Sequence, residues 1–129
     1  MSTIFSKIIN GEIPSYKIAE NDFCYAFLDI NPLKKGHTLV VPKVETDYIF
    51  DLEDNSLSEL ILFSKQIAKK MDKVFDCNRI GVSVIGLEVP HAHVHLIPIN
   101  GINDMDFSKP KLQLSETEMS EIAKRIKEA

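Results

Sequence analysis

Residues His91-Ala92-His93-Val94-His95-Leu96-Ile97-Pro98 alternate histidine with apolar side chains over their first six positions. This spacing is the period of a β-strand, in which successive side chains point to opposite faces. A helix would distribute the same rings around its circumference, because helical neighbours are three and four residues apart. The stretch therefore predicts a strand that presents three of the four histidines on one face and small apolar residues to the core.

Length and composition bound the class of protein. The 129 residues, 44% hydrophobic and 26% charged, predict a single globular domain over residues 1–129. A net charge of −4 gives no overall positive field for a nucleic-acid polymer or a membrane surface. The two cysteines form no Cys-x-x-Cys pair, and the N-terminus does not have the pattern of a signal peptide. We therefore expect a cytoplasmic protein with reduced thiols.

Four other segments have the composition of strands. Residues 16–20 and 23–30 are rich in aliphatic and aromatic side chains, and Asn21-Asp22 between them is typical of a hairpin turn. Residues 37–41 are apolar and stop at Pro42, and residues 79–85 alternate again. Neighbouring strands joined by short turns predict a mostly antiparallel sheet of about five strands.

Helices are predicted at three places. Residues 4–9 have helical spacing over little more than one turn, and Ser56 with Glu59 forms a capping box before a long helix. A second capping box, Ser115 with Glu118, begins a C-terminal helix. The long helix has an apolar stripe of Leu57, Leu60, Ile61, Ser64, Ile67, Ala68, Met71, Val74 and Phe75, with Leu62 and Phe63 outside it. The fold class is therefore α+β.

Two chemistries use three imidazoles on one face. Neutral imidazoles that converge on one point bind Zn²⁺ or Cu²⁺. Alternatively one ring is a nucleophile, because imidazole is substantially unprotonated near neutral pH, and its neighbours stabilise a phosphoryl group. The residues alone leave both open, and Glu88 is compatible with either.

The stretch from His91 to Ile97 resembles the signature of the histidine triad superfamily, in which three histidines alternate with apolar residues. Three further blocks are similar to the family in the same order: residues 4–14, 27–32 and 36–43. The resemblance covers residues 3 to 98 and is to the nucleotide-binding, phosphoramidase-like branch. It leaves the C-terminal 30 residues unaccounted for.

The resemblance implies a nucleotide hydrolase with a covalent intermediate. The middle histidine, His93, attacks the α-phosphorus of a nucleoside 5′-phosphoramidate or a related nucleotide conjugate, and water then releases the nucleoside monophosphate. His91 and His95 flank the phosphate, and His37 matches the fourth histidine of the family site. Asp29 matches the ribose-binding acid. The base pocket corresponds to Phe5, Ile8, Ile13, Phe27, Leu28 and Ile30.

The resemblance also implies a homodimer whose sheets join across the interface, a purine nucleotide or nucleotide conjugate as ligand, and no metal in the reaction. Ser83 and Glu88 correspond to the phosphate side of the site. The chain departs from many relatives before the triad, because Leu87 lacks a hydrogen-bonding side chain and an ionised Glu88 repels a phosphate. Some bacterial relatives bind structural zinc at positions occupied here by Thr3, Ser6 and Glu45, a set that predicts no such zinc.

Other functions remain open from the sequence. One is a nucleotide-binding regulatory protein with weak or no catalysis, which Leu87 and Glu88 favour. Another is a dinucleoside polyphosphate hydrolase. The third is a metalloenzyme with its ion at the triad.

Overall fold

A five-stranded antiparallel sheet organises the protein, whose computed structural model describes residues 2–129. The strands are β1 (Lys17–Glu20), β2 (Cys24–Leu28), β3 (Thr38–Pro42), β4 (Arg79–Ser83) and β5 (Val94–Ile99). Their order across the sheet is β1-β2-β3-β5-β4, so that β5 enters between β3 and β4. The predicted fold class and strand number are confirmed.

Three α-helices accompany the sheet: α1 (Ile4–Ile9), α2 (Asp54–Val74) and α3 (Glu116–Glu128). Two short 3-10 helices lie at Ile49–Asp51 and Ile102–Met105. One long and one C-terminal helix are therefore present, as predicted. Within residues 2–129, no helix combines the length and the apolar character that crossing a lipid bilayer requires.

The sheet has two different faces because side chains alternate along each strand. One face packs under α2 and α3 through Ile18, Cys24, Ala26, Leu28, Val40, Val94 and Leu96. The other face has a smaller apolar cluster of Phe5, Ile8, Tyr25, Phe27, Leu39 and Val41, in which the first two residues belong to α1. Since α1 is only six residues long, this second face is where space for a ligand remains.

The start and the buried stripe of α2 differ from the prediction. The helix begins at Asp54 after the N-cap Glu53, whose side chain makes no capping hydrogen bond, and Ser56 lies inside the first turn. Ile61 is 49% exposed, whereas Phe63 is only 4% exposed. The buried residues are Leu60, Phe63, Ser64, Ile67 and Met71. Packing against the sheet, rather than the local capping signal, sets the start and rotation of this 21-residue helix.

The capping box of α3 agrees with its prediction and gives a stability test. The Ser115 hydroxyl accepts a hydrogen bond from the Glu118 N–H at 3.1 Å. We expect Ser115→Ala to lower the free energy of unfolding by about 1 kcal/mol, measured by urea denaturation. Ser120→Ala is the matched control, because this exposed position lies inside the same helix, where alanine is the better helix former. An equal loss in both variants would contradict the capping role.

Candidate functional site

The histidine stretch joins the sheet later than predicted. β5 begins at Val94, because the preceding chain turns aside and the Ala92 N–H donates to the Thr46 carbonyl at 2.7 Å. From Val94 onward the predicted alternation holds. Val94 is buried under α2 and α3, while the rings of His93 and His95 lie on the opposite face with centroids 4.9 Å apart.

A backbone carbonyl fixes the tautomer of neutral His93, that is, which ring nitrogen bears the proton. Its Nδ1 lies 2.8 Å from the His91 carbonyl oxygen, which can only accept, so Nδ1 bears the proton. In a neutral imidazole the other nitrogen, Nε2, then has a free lone pair. The Phe5 ring packs edge-on against His93 with centroids 4.9 Å apart, which restrains its orientation. The local geometry thus fixes both the tautomer and the orientation of the His93 ring.

The hydrogen bonds of His37 and His95 place the proton of each neutral ring on the other nitrogen, Nε2. The Leu33 N–H donates to His37 Nδ1 at 3.0 Å, so the proton of neutral His37 is on Nε2. His37 Nε2 lies 2.9 Å from His95 Nδ1 and donates to it. Neutral His95 must therefore have its proton on Nε2, which is a donor. The structure thus gives His93 and His95 different tautomers side by side.

Burial keeps this pair of rings neutral. It lowers the pKa of His37 to about 3, with a further contribution from the neighbouring His95. Burial also lowers the pKa of His95 to about 4, assisted by His93. Both rings are therefore uncharged at neutral pH, and the tautomers derived from their hydrogen bonds apply. Gly36 leads the chain into His37 at φ 90°, where a Cβ would clash with the Phe75 ring.

The structure places the His91 ring in an enclosed position, where protein groups hydrogen-bond to both of its nitrogens; its predicted place beside a phosphate stays a prediction. Its side chain is 0% exposed. Its Nε2–H donates to the Pro42 carbonyl at 2.8 Å, and its Nδ1 accepts from the Thr3 hydroxyl at 2.7 Å. The His91 ring lies on the same side of the sheet as His93, because the Phe5 ring packs edge-on against both, but His91 precedes the first residue of β5. The contribution of His91 to the site is its main-chain carbonyl, which orients His93.

A hydrogen-bonded cluster links α1 to His91. Glu45 Oε1 accepts from the Thr3 N–H and from the Ser6 hydroxyl, each at 2.7 Å. The Thr3 hydroxyl caps α1 by accepting from the Ser6 N–H at 3.1 Å. These donors, first the Thr3 N–H, hold the pKa of Glu45 below its ordinary value. Thr3, Ser6 and Glu45, which stand where some bacterial relatives bind zinc, therefore hydrogen-bond to one another. Thr3 also hydrogen-bonds to the ring of His91.

A cavity of about 260 Å³ opens beside the reactive face of His93. It brings together ten of the predicted site residues: Phe5, Ile8, Ile13, Phe27, Leu28, Asp29, Ile30, Glu88, His93 and His95. Six further lining residues were not predicted: Ile4, Pro14, Ser15, Asn31, Leu39 and Val89. Four of them had a signal, because Ile4, Pro14, Asn31 and Leu39 stand in the blocks that resemble the family, whereas Ser15 and Val89 had none. We call this space the apolar cavity.

Asp29 is the acidic group of the apolar cavity. Its Oδ1 accepts from the Asn31 N–H at 2.8 Å, and its Oδ2 lies 3.6 Å from His37 Nε2. Burial raises the pKa of Asp29, and the Asn31 N–H opposes that shift. One carboxylate oxygen is therefore held by the main chain, and the other remains available to accept hydrogen bonds from a ligand.

A second cavity of about 350 Å³ shares five residues with the first: Asp29, Asn31, Glu88, His93 and His95. Its remaining wall is formed by His37, Ile85, Gly86, Leu87, Phe107 and Lys111. Phe107 and Lys111 had no signal in the sequence, since they occupy a polar loop outside every motif. We call this space the outer cavity.

Ser83 lies outside both cavities. It pairs with His95 across β4 and β5, so that both side chains share one face of the sheet. The walls of the apolar and outer cavities nevertheless do not include it. The structure therefore places Ser83 next to His95 on the sheet and outside the walls of both cavities, and its assignment to the phosphate side stays a prediction.

Asp29, His37 and His95 are the residues that can hold a metal ion here, because one ligand atom from each lies within 4.8 Å of the others. Their arrangement satisfies a different bond, since His37 Nε2 and His95 Nδ1 face each other at 2.9 Å across one proton. A cation would have to displace that proton. The facing nitrogens of the two imidazoles are thus used by hydrogen bonding in this geometry.

Comparisons with known proteins identify the family. The HIT domain model matches residues 10–101, and the chain belongs to this family. An uncharacterized HIT-like protein of Borreliella burgdorferi is 35% identical over 131 residues, which are 95% of this chain and 94% of that protein. Adenosine 5′-monophosphoramidase HNT1 of Saccharomyces cerevisiae is 40% identical over 96 residues, 74% of this chain and 61% of that protein. The crystal structure of a HIT-like protein involved in cell-cycle regulation from Bartonella henselae has a TM-score of 0.84 at 32% identity, covering 98% of this chain and 95% of that chain.

The hydrogen bonds predict a specific set of tautomers. Long-range ¹H–¹⁵N NMR of labelled protein should show His93 protonated on Nδ1, and His37, His91 and His95 protonated on Nε2. The signals of His37 and His95 should not titrate between about pH 5 and about pH 8, because their pKa values are depressed far below 6.5. A His93 ring protonated on Nε2 would contradict the assigned nucleophile.

Proposed function

We propose that the protein hydrolyses nucleoside 5′-phosphoramidates, or related nucleotide conjugates, at the α-phosphorus through a nucleotidyl-histidine intermediate. One observation supports this most: the hydrogen bond from His93 Nδ1 to the His91 carbonyl leaves Nε2 unprotonated beside a nucleoside-sized cavity. The similarity to the yeast adenosine 5′-monophosphoramidase supports the substrate class.

Substrate recognition follows from the chemistry of the apolar cavity. A purine base fits between the aromatic and aliphatic side chains of Phe5, Phe27 and Ile8. Asp29 accepts hydrogen bonds from the ribose hydroxyls through its free carboxylate oxygen. The α-phosphate then lies beside His93 and His95, which line both cavities. The enclosed volume of about 260 Å³ favours a single nucleoside over a polymer.

The first step is attack by His93 Nε2 on phosphorus. The P–N bond to the leaving amine breaks, and the amine departs with the electron pair and takes a proton from water. The His95 Nε2–H donates to a phosphoryl oxygen as charge develops there. Once phosphorylated, the His93 ring is a cation, and its Nδ1–H remains bonded to the His91 carbonyl, which stabilises that charge.

The second step is hydrolysis. Water attacks the phosphorus of the nucleotidyl-imidazolium, and neutral His93 leaves as the nucleoside monophosphate forms. Imidazolium is a good leaving group because it departs as a neutral ring. No residue has to change its hydrogen-bond partners between the two steps, since the His93 Nδ1–H stays in place throughout.

Replacing His93 tests the nucleophile. We expect His93→Asn to lower kcat/KM for adenosine 5′-phosphoramidate by at least about 10³-fold. An asparagine amide can still donate toward the His91 carbonyl but has no nucleophilic nitrogen. Binding of adenosine monophosphate, measured by calorimetry, should persist and serves as the control for the fold. Turnover that is unchanged in the variant rejects the proposal.

Other measurements distinguish the alternatives. Glu88 lines both cavities and its charge disfavours a phosphate, which is the observation behind a purely binding function. Rapid acid quench should trap a nucleotidylated wild-type protein if it is an enzyme and none if it only binds. A dinucleoside polyphosphate should be cleaved more slowly than the phosphoramidate. Activity that is lost on chelation would instead support the metalloenzyme.

We further propose that the protein is a homodimer joined through β4. This strand is an edge of the sheet, and its Val82 is 62% exposed although it lies opposite the buried Leu96. Ile61 and Leu62 of the adjoining α2 are also exposed. An apolar edge strand is a template for pairing, and a second copy can cover it symmetrically.

A charge at this edge tests the dimer. We expect Val82→Arg to convert a dimer into a monomer in analytical ultracentrifugation, because it would bury two unpaired guanidinium groups at a symmetric interface. Phe23→Arg is the matched control, since Phe23 is a similarly exposed apolar residue in the β1–β2 turn. A wild-type monomer, or dissociation by both variants alike, would contradict an interface at β4.

A further inference from the structure

The outer cavity has a wall that the family model does not include. The HIT domain match ends at residue 101, whereas Phe107 and Lys111 come from the segment between β5 and α3, residues 100–114, which we call the outer loop. The cavity also includes His93 and His95, so a group in it contacts the reacting centre. Its wall is therefore made partly of residues that lie outside the family match.

The outer loop is firmly attached to the domain. Asp104 accepts from the Asn100 N–H at 2.8 Å and forms an ion pair with Lys34 at 2.9 Å. The Leu112 N–H donates to the Pro32 carbonyl at 2.8 Å, close to the turn after Asp29. The loop is consequently fixed at both ends, which is expected of a segment that forms part of a binding site.

Phe107 and Lys111 have distinct positions in this wall. The Phe107 ring packs edge-on against His95 with centroids 4.8 Å apart. Lys111 Nζ donates to the carbonyls of Phe107 at 2.6 Å and Lys109 at 3.0 Å. An ammonium has three N–H donors, so one remains for a ligand. Lys111 lines the same cavity as Asp29 and His37. Burial raises the pKa of Asp29, and the positive charge of Lys111 partly opposes that rise.

We propose that the outer cavity is the leaving-group subsite, and that Lys111 selects leaving groups that contain a carboxylate near the scissile nitrogen, such as an amino acid joined to the nucleotide through its amine. This inference rests on the proposed function. The nucleoside fills the apolar cavity, so the leaving group must extend into the outer one. Asp29 and Glu88, which line the side of the outer cavity shared with the apolar cavity, repel an anionic leaving group. Binding of such a leaving group therefore depends on the positive charge of Lys111.

A matched pair of substrates tests the subsite. Adenosine 5′-phosphoramidates of glycine and of glycinamide have nearly the same size and differ in the charge of the leaving group. The quantity measured is the ratio of kcat/KM for the glycine conjugate to that for the glycinamide conjugate. We expect Lys111→Met to lower this ratio by about 10-fold, which corresponds to about 1.4 kcal/mol for a lost charge-assisted hydrogen bond. Lys111→Arg should restore most of it.

Lys109→Met is the control, because Lys109 is an exposed lysine of the same loop that lies outside the cavity wall. In Lys109→Met, the ratio of kcat/KM for the glycine conjugate to that for the glycinamide conjugate should equal the ratio in the wild type. If Lys111→Met only damaged the loop, both substrates would be cleaved more slowly by the same factor and the ratio would not change. An unchanged ratio overturns this inference and leaves the proposed function standing. A wild-type protein that cleaves neither substrate overturns the proposed function together with the inference.

Discussion

The hydrogen bond between His93 Nδ1 and the His91 carbonyl is the constraint on which the site depends. It decides which nitrogen of the central ring has a lone pair, and it remains available to stabilise the ring after that nitrogen has reacted. The carbonyl is itself held in position, because the His91 ring bonds to Pro42 and the next residue bonds to Thr46. The main chain thus sets the tautomer of His93.

His93 and His95 have opposite tautomers, with the proton on Nδ1 in His93 and on Nε2 in His95. Two different backbone groups set these tautomers. A carbonyl acceptor sets His93, whereas the Leu33 N–H sets His95 indirectly through His37. Burial makes the arrangement reliable, because it keeps His37 and His95 neutral and so limits each ring to one proton. A protonated His37 would have a donor on each nitrogen and would clash with the Leu33 N–H.

Much of the fold follows from the sequence because it depends on local periodicity. The alternation after Val94, the Asn21 hairpin and the capping box at Ser115 all specify their structure within a few residues. The start of α2 and the burial of Phe63 do not, since both are set by packing against the sheet. The enclosure of the His91 ring could not be predicted for the same kind of reason: period two gives the side of the strand, whereas its partners Thr3 and Pro42 come from distant parts of the chain. The apolar cavity was predictable from the family resemblance, whereas Phe107 and Lys111 lie in a loop without periodicity or motif.

The distribution of helices explains why the site is on only one face of the sheet. α2 and α3 cover the first face completely enough to bury Leu60, Ile67 and Ile126. The second face has only the six-residue α1, which is too short to be stable alone and is held by its cap at Thr3 and by Glu45. The same Thr3 hydroxyl contacts His91. The helix that forms a wall of the apolar cavity is therefore anchored to the residue whose carbonyl orients the His93 ring, so the position of that wall and the direction of the His93 Nε2 lone pair are determined together.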